Sequence, residues 1–530
     1  MKEAAPREGV KFGVRRLAWY AGGFSGGVYL AQYLLTGPWL LWAGLMSLAL
    51  GALTLFLPLD GSAGVVRRRS VILCAALAAG LGWSWLYVRQ AQRPAEELTG
   101  WTGPIEAEAL DYPTKNDYTT RVLVRLEGVR AYLYGVPMDV TPGQRIMGTA
   151  ELRDASRIRE DDITTFTSKG VFLLAYGKGA LTIEQGTSGS PRWYPLRLGR
   201  AMQGKLSALF PEDTAGVLAA LLTGERSLIP ETVSADFNEA GLSHVLAVSG
   251  MHCGVLLAFL TRLTGKGRGR VWTALPILVF YALLTGCRPS VVRACVMIGF
   301  LLIGPLLRRE SDPPTALLTA LMLILAQNPF AAASAGLQLS FASVAGLLWL
   351  TPKLNACLPE GVRKPKTLRD CLLWLLRKIL QSFCVTAGAL VFTIPLMAWR
   401  FGTIAIIAPL SNLLCLPAVW ALFCLGLMSA AAGLVFDPLG GLLAIPAEYL
   451  CRWILLVSGW LARIPGHAVY LNNPFLKYWL LYTYALFAAA CLFRGTPRRR
   501  YALAGALACL TLVLTVRLGA ARYRSDLDIL

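Results

Sequence analysis

Thirteen apolar runs recur along this chain, most of them 17 residues or longer, and they constrain it more than any motif does. A run of that length with few charges can cross a bilayer as a helix, which bonds every backbone polar group inside its own segment. The runs lie near 17–36, 38–58 and 70–89, then near 244–262, 271–286, 289–307, 313–327, 336–352, 375–398, 404–434, 440–462, 475–493 and 500–518. Only 15% of the 530 residues are charged, against roughly 25% in a soluble domain, so a soluble or disordered reading fails. The expectation is a polytopic α-helical membrane protein of about 13 spans.

The interruption at 94–195 reads as a small domain outside the bilayer. Its runs TTRVLVRLEGV (119–129), RAYLYGV (130–136), GQRIMGTAEL (143–152) and GVFLLAYG (170–177) are short, β-branched or aromatic, and separated by turn residues. That pattern predicts about five strands and an OB-like barrel. Such barrels hold single strands by stacking bases on aromatic rings, and Tyr112, Tyr118, Tyr132 and Tyr134 are the candidates. Residues 94–190 carry ten Lys and Arg against 14 Asp and Glu, a balance of −4 in a chain of net +20, which leaves +24 for the rest. The negative balance argues against strong phosphate binding there, and packing in the core or a hairpin is the other reading of the tyrosines.

Orientation follows from basic loops. The N-terminus (Lys2, Arg7, Lys11, Arg15, Arg16) and the loop at Arg67, Arg68 and Arg69 belong in the cytoplasm, which places the barrel outside. The basic loops at 262–270, 308–309, 353–369 and 494–500 agree if 404–434, read as a helix broken at Pro409 and Pro417, makes one net crossing; the tail 519–530 is then outside. Residues 1–93 are N-terminal membrane helices, the first an uncleaved span, and 244–518 form the membrane core. Between barrel and core, 196–243 reads as amphipathic helices lying on or re-entering the outer face, with a helix start at Ser227 to Pro230 and a helix end at Gly241. None of the twelve cysteines falls in 94–190 and no CxxC pair occurs, so they read as apolar core residues.

Three polar intrusions interrupt the apolar pattern. GLSHVLAVSGMHCG (241–254) holds two of the three histidines beside Ser249 and Gly250. On a helix His244 and His252 stand about 80° apart and share a face. Their spacing suits no zinc motif, so no metal is expected. GCRPSVVRACVM (286–297) puts Arg288 at the outer end of a span and Arg293 a turn within it, where snorkelling to the headgroups is the alternative. GLQLSFASVAG (336–346) adds Gln338, Ser340 and Ser343, which also suit close helix packing, with Asn328 and Pro329 ahead of it. A shared aqueous cavity relieves the cost of all three, lined by Arg293, His252, Ser249, Gln338 and Arg288 with Arg226 and Gly241 at its rim. The two histidines can titrate near neutral pH or simply bond neighbouring helices.

The segments TGERSLIPETVSADFNEAGLSHVLAVSGMHCG (223–254), RPSVVRACVM (288–297) and the NPF to GLQLSF stretch (328–341) resemble the signature of ComEC-type competence proteins, the inner-membrane channels through which transformable bacteria import one DNA strand. The resemblance implies a single-stranded DNA path along Arg226, Gly241, His244, Ser249, Gly250, His252, Arg288, Arg293, Gln338 and Ser340. It implies membrane lipid as surroundings, and an extracellular DNA receptor, a cytoplasmic ATPase and single-strand binding proteins as partners. Neither cofactor nor enzymatic activity is expected. Many members carry a C-terminal metallo-β-lactamase-like domain, whose HxHxDH site three histidines cannot supply, so the expectation is a form without it and a separate nuclease. No Walker A motif occurs, so a partner or a gradient must drive transport. Two rivals stand beside this: an intramembrane enzyme using Glu239, His244, Ser249 and His252 on a lipid or glycan, and a transporter of another substrate or a structural subunit.

Overall fold

The computed structural model describes residues 15–56, 62–115, 119–158, 161–162, 164–184, 189–264, 269–304, 306, 312–359, 367–471, 474–492 and parts of 505–515. Tyr118 and most of the expected span 500–518 lie outside the described residues. The chain forms two compact units: 1–230, 244–341 and 418–452 make the first, and 231–243, 342–417 and 453–530 the second.

The first unit begins with α1 (Arg16–Tyr33), α2 (Trp39–Phe56) and α3 (Ser62–Tyr87). Gly23 and Gly27 on α1 and Gly80 on α3 face the partner backbone so closely that a methyl group at any of them would strike it. Small residues permit this approach where lipid supplies no hydrophobic drive to pack helices. Beyond Tyr87 the rod continues through a π-helical stretch, Val88–Gln92, into α4 (Arg93–Glu97) and delivers the chain to the barrel.

The barrel comprises β1 (Thr102–Ala109), the short β2 (Thr114–Lys115), β3 (Thr120–Leu126), β4 (Val129–Tyr134), β5 (Arg145–Asp154), the small β6 (Arg157–Ile158) and β7 (Asp161–Asp162), and β8 (Leu173–Ile183). β1 pairs with both β5 and β3, which closes the order β1-β5-β8-β4-β3 into a ring. The β4–β8 pairing is parallel and the other main pairings are antiparallel, the arrangement of a five-stranded Greek-key barrel of OB type. Alternation does the rest: Val122, Val124 and Leu126 of β3 and Val129, Ala131 and Leu133 of β4 point into one buried core. Glu127 and Gly128 join these two strands, both with positive φ, as a tight two-residue hairpin turn requires.

After the barrel come α5 (Tyr194–Leu209) and α6 (Glu212–Thr223), with α7 (Glu231–Glu239) belonging to the second unit. In α6 every residue from Thr214 to Thr223 is buried, because a helix apolar all round has no polar face to offer a surface. The first unit continues with α8 (Gly250–Thr264), α9 (Gly269–Leu284), α10 (Pro289–Ile303), α11 (Pro313–Gln327), a 3-10 turn at Pro329–Ala333 and the start of α12 (Ala335–Trp349).

In the second unit, α13 (Thr351–Ala356) and the long α14 (Leu368–Arg400) precede β9 (Thr403–Ala405). Next come α15 (Ala408–Val435) and α16 (Asp437–Ala462), each shared with the first unit, then β10 (Ala468–Tyr470), paired antiparallel with β9, and α17 (Pro474–Leu492). The break expected at Pro409 and Pro417 is absent. Pro409 occupies the first turn of α15, where its missing N–H costs nothing, and Pro417 sits within a helix that continues past it. Among the described residues six helices are long and apolar enough to cross a membrane (α2, α3 with its extension, α12 with α13, α14, α15 and α16), and α9, α10 and α11 are shorter apolar helices. The chain is thus a membrane protein bearing a small β-barrel.

Candidate functional site

Three motif segments of the first unit interlock, and at two of the joints a glycine makes room for an arginine. α6 ends at Gly224, whose φ of +80° is the left-handed helix stop that glycine adopts without strain. A Cβ at Gly224 would fall 2.7 Å from Arg288 Nε, so the guanidinium occupies the space a side chain would need. Arg226 donates from Nε to the Leu246 carbonyl at 3.2 Å, and Ser290 in the first turn of α10 donates to the Val248 carbonyl at 2.6 Å. Gly250 opens α8, where a Cβ would lie 3.3 Å from Arg293 Nη2. The segments 223–226, 246–250 and 288–293 therefore form one knot.

Within it the Ser249 N–H donates to His252 Nδ1 at 3.0 Å, so the imidazole does for the start of α8 what a glutamate does in a capping box. With Nδ1 an acceptor, the neutral ring carries its proton on Nε2. The His252 side chain is fully buried, its ring centroid 5.1 Å from that of Phe423, and Nε2 has no partner. His244 does not share this helix. α8 begins only at Gly250, and His244 lies in the turns ahead of it, so the common helical face expected for the two histidines does not form.

Arg293 is only 5% exposed. Its Cζ lies 5.6 Å from the Phe341 ring centroid, and its Nη1 is buried without a hydrogen-bond partner. Among the described residues no ion pair joins Arg226, Arg288 or Arg293 to a carboxylate. Arg288 is near enough for its charge to bear on Arg226 and on the barrel's Lys169, Asp111 and Tyr132.

The barrel tyrosines already have neighbours. Tyr132 meets Phe166 edge-on at 5.7 Å and carries the Arg121 guanidinium 5.2 Å from its centroid. Tyr134 stacks on Tyr176 at 4.9 Å and 10°, Arg153 lies 5.1 Å from the Tyr176 ring, and Arg200 lies 5.6 Å from that of Tyr112. Tyr176 and Arg153 escaped the sequence reading, although the strand run GVFLLAYG contains the tyrosine.

The third intrusion serves as a joint. Asn328 accepts the Phe330 N–H at 3.0 Å and donates from Nδ2 to the barrel carbonyls of Thr167 and Ser168 at 3.2 and 3.0 Å. Phe330 packs against Phe172 of the barrel at 5.2 Å and Tyr87 of α3 at 6.2 Å. Gln338 donates to Tyr33 Oη at 2.6 Å and to the Ala332 carbonyl at 2.8 Å, steadying the 3-10 turn. Ser340 is half-buried on α12.

Gly241 belongs to the second unit, where it ends α7 at φ +73° with the paired bonds of a Schellman motif, Leu242 N–H to Phe237 O and Gly241 N–H to Asn238 O. A Cβ there would fall 2.8 Å from Ala408 Cβ. One turn earlier Glu239 Oε2 accepts from His467 Nε2 and Tyr470 Oη, both at 2.6 Å, while His467 Nδ1 faces the Ile464 carbonyl at 2.8 Å. Both ring nitrogens meet oxygens that only accept, so His467 is an imidazolium. The Glu239 carboxylate, and secondarily the Ile464 carbonyl, raise its pKa above the usual imidazole value. Tyr470, then His467, hold Glu239 below the usual carboxylate range. No local motif pointed to His467, because its partner is 228 residues away. No cluster of metal-ligating side chains occurs among the described residues.

The family model described as Competence protein matches residues 221–496, which contain the knot, the Asn328 joint and α7. The chain belongs to the competence protein family. Among relatives of this competence-family chain, the ComE operon protein 3 of Bacillus subtilis is 29% identical over 49% of this chain and 31% of its own length. The competence protein ComA of Neisseria gonorrhoeae is 29% identical over 48% of this chain and 36% of its own. Recombination protein 2 of Haemophilus influenzae is 23% identical over 66% and 46%. The matched region thus spans about a third of the first two competence relatives and under half of the third. No solved structure matches significantly.

Proposed function

We propose that this chain forms a conduit for single-stranded DNA across the bacterial cytoplasmic membrane during natural transformation, with the barrel on the outer face. The observation that carries the reading is the knot: three arginines that form no ion pair with a carboxylate among the described residues, held by the segments that the family model covers. A polyanion moving lengthwise needs transient cationic contacts and room for its backbone, and glycine beside arginine supplies both. Lys169 and Arg121 on the barrel extend the positive ground toward Arg288 and Arg226. In this reading the chain does no covalent chemistry on the strand; a receptor outside delivers DNA, a separate nuclease prepares it, and an ATPase, a gradient or single-strand binding proteins inside draw it through. Transformation of a strain lacking the gene with labelled DNA tests this. Label held outside the cytoplasm, with import restored by the wild-type gene, is the expected result. Undiminished label in the cytoplasm of the deletion strain overturns it.

A further inference from the structure

Arg293 presents a physical imbalance. A guanidinium removed from water loses hydration that a counter-charge must replace, and among the described residues no carboxylate pairs with this one. Its surroundings deepen the deficit. Nη2 lies against Gly250, the first residue of α8, where the helix dipole has its positive end and where the His252 and Cys253 amides turn to the Ser249 carbonyl behind the leading amides of Gly250 and Met251. Ser290 ties the first turn of α10 to Val248, so a second positive helix end starts beside the first. What faces the guanidinium is the ring of Phe341, a weak cation–π partner that leaves Nη1 unbonded.

We infer that Arg293, the opening turn of α8 and Phe341 form a covered oxyanion site, closed by the Phe341 ring in this structure and filled by a single phosphate group when that ring swings aside. Helix N-termini bind such groups through their free amides, and arginine adds a bidentate fork. The inference rests on the DNA-conduit reading for its physiological ligand, one phosphodiester of the strand, and it turns Arg293 from a general positive wall into a fixed station. Gly250 is required on two counts, for room beside Nη2 and for access to the amides.

The test uses the purified full chain in detergent and reads thermal unfolding while sodium phosphate replaces sodium chloride at constant ionic strength. Saturable stabilisation by phosphate is expected, lost in Arg293→Gln, reduced in Gly250→Ala, and reached at several-fold lower phosphate in Phe341→Ala, where the cover is gone. A second arm places the protein in nanodiscs of phosphatidylcholine with or without phosphatidylglycerol. If the anionic lipid alone saturates the response and free phosphate adds nothing, the oxyanion is a lipid headgroup and the station on the DNA path is overturned. Phosphate behaving as chloride does, in both wild type and a folded Phe341→Ala, overturns the site itself. Because no DNA is present, a protein that binds phosphate yet imports no strand loses only the conduit reading, and one that imports DNA without a phosphate response loses only the station.

Discussion

On the barrel, Arg145 meets Glu106 at 2.7 Å, Arg125 lies 3.8 Å from Glu108, and Glu151 draws in both Arg153 and Lys178 at 2.7 and 2.8 Å. In the knot of the same unit, Arg226, Arg288 and Arg293 find carbonyls, a glycine and an aromatic ring, but, among the described residues, no carboxylate in an ion pair. The barrel settles its charges at home, in water, where each pair is worth little. The knot leaves Arg293 unsettled in the interior, where that is most costly, with Arg288 half-buried and Arg226 exposed beside it. A cost of that kind persists in a fold when something outside the chain relieves it, which is why the knot, and not the paired surface of the barrel, is the place to look for a ligand.

The strongest way to break this contrast is Arg293→Ala, expected to reduce transformation to background with membrane insertion and surface DNA binding intact. Arg293→Lys should keep partial function, since a passing backbone needs charge more than a fork. Wild-type frequency in Arg293→Ala would make the knot arginine as dispensable as a barrel one. Gly224→Ala probes the room beside Arg288: left-handed φ costs a methylated residue about 1–2 kcal/mol, and displacement of the guanidinium adds to it. A lowered melting temperature and a several-fold loss of transformation are expected, and unchanged values for both would dissociate the glycine from the arginine.

The Glu239–His467 pair sharpens the comparison, being a settled charge outside the barrel. The raised His467 pKa makes its contribution full below the usual imidazole value and lost as pH rises through the folded value; the lowered Glu239 pKa makes its contribution lost as pH falls through that value. Stability should therefore decline as pH rises above the usual imidazole value and through the folded one, and the difference between wild type and His467→Gln in melting temperature should shrink over that rise. A difference constant from pH 5 to 9 would show that the pair carries no such linkage. The smallest effect belongs to Glu151→Gln on the barrel, where Arg153, then Lys178, hold the carboxylate at about 2. Glu151 is half-buried on the barrel surface in pairs that water screens, and neither transformation nor melting should move measurably.

Much of this was legible from residue order because it is local. Alternation announced β3, β4, β5 and β8, and Gly241 announced the end of α7. β1 was not: Gly103, Pro104 and its alanines have poor strand propensity, and the segment is extended because β5 and β3 pair with it from either side. The interlock of Gly224 with Arg288, of Asn328 with Thr167 and of Glu239 with His467 joins positions too far apart for any periodicity to register. His244 was assigned to a helix because its neighbours are apolar, whereas Ser249 and Gly250 delay the helix by capping it late.

The π-helical stretch at Val88–Gln92 sets the phase of everything beyond it. A widened turn holds one residue more than an α-turn, so winding the same residues as a regular α-helix would turn the downstream chain by roughly 100° about the axis of α3. Tyr87, just before the stretch, would stay against Phe330, while the carbonyls of Thr167 and Ser168 would swing away from Asn328. The rod is a dial as well as a support, and a change that rewinds all five of these residues as regular α-helix should misalign the barrel with the membrane helices more severely than the loss of any single contact between them.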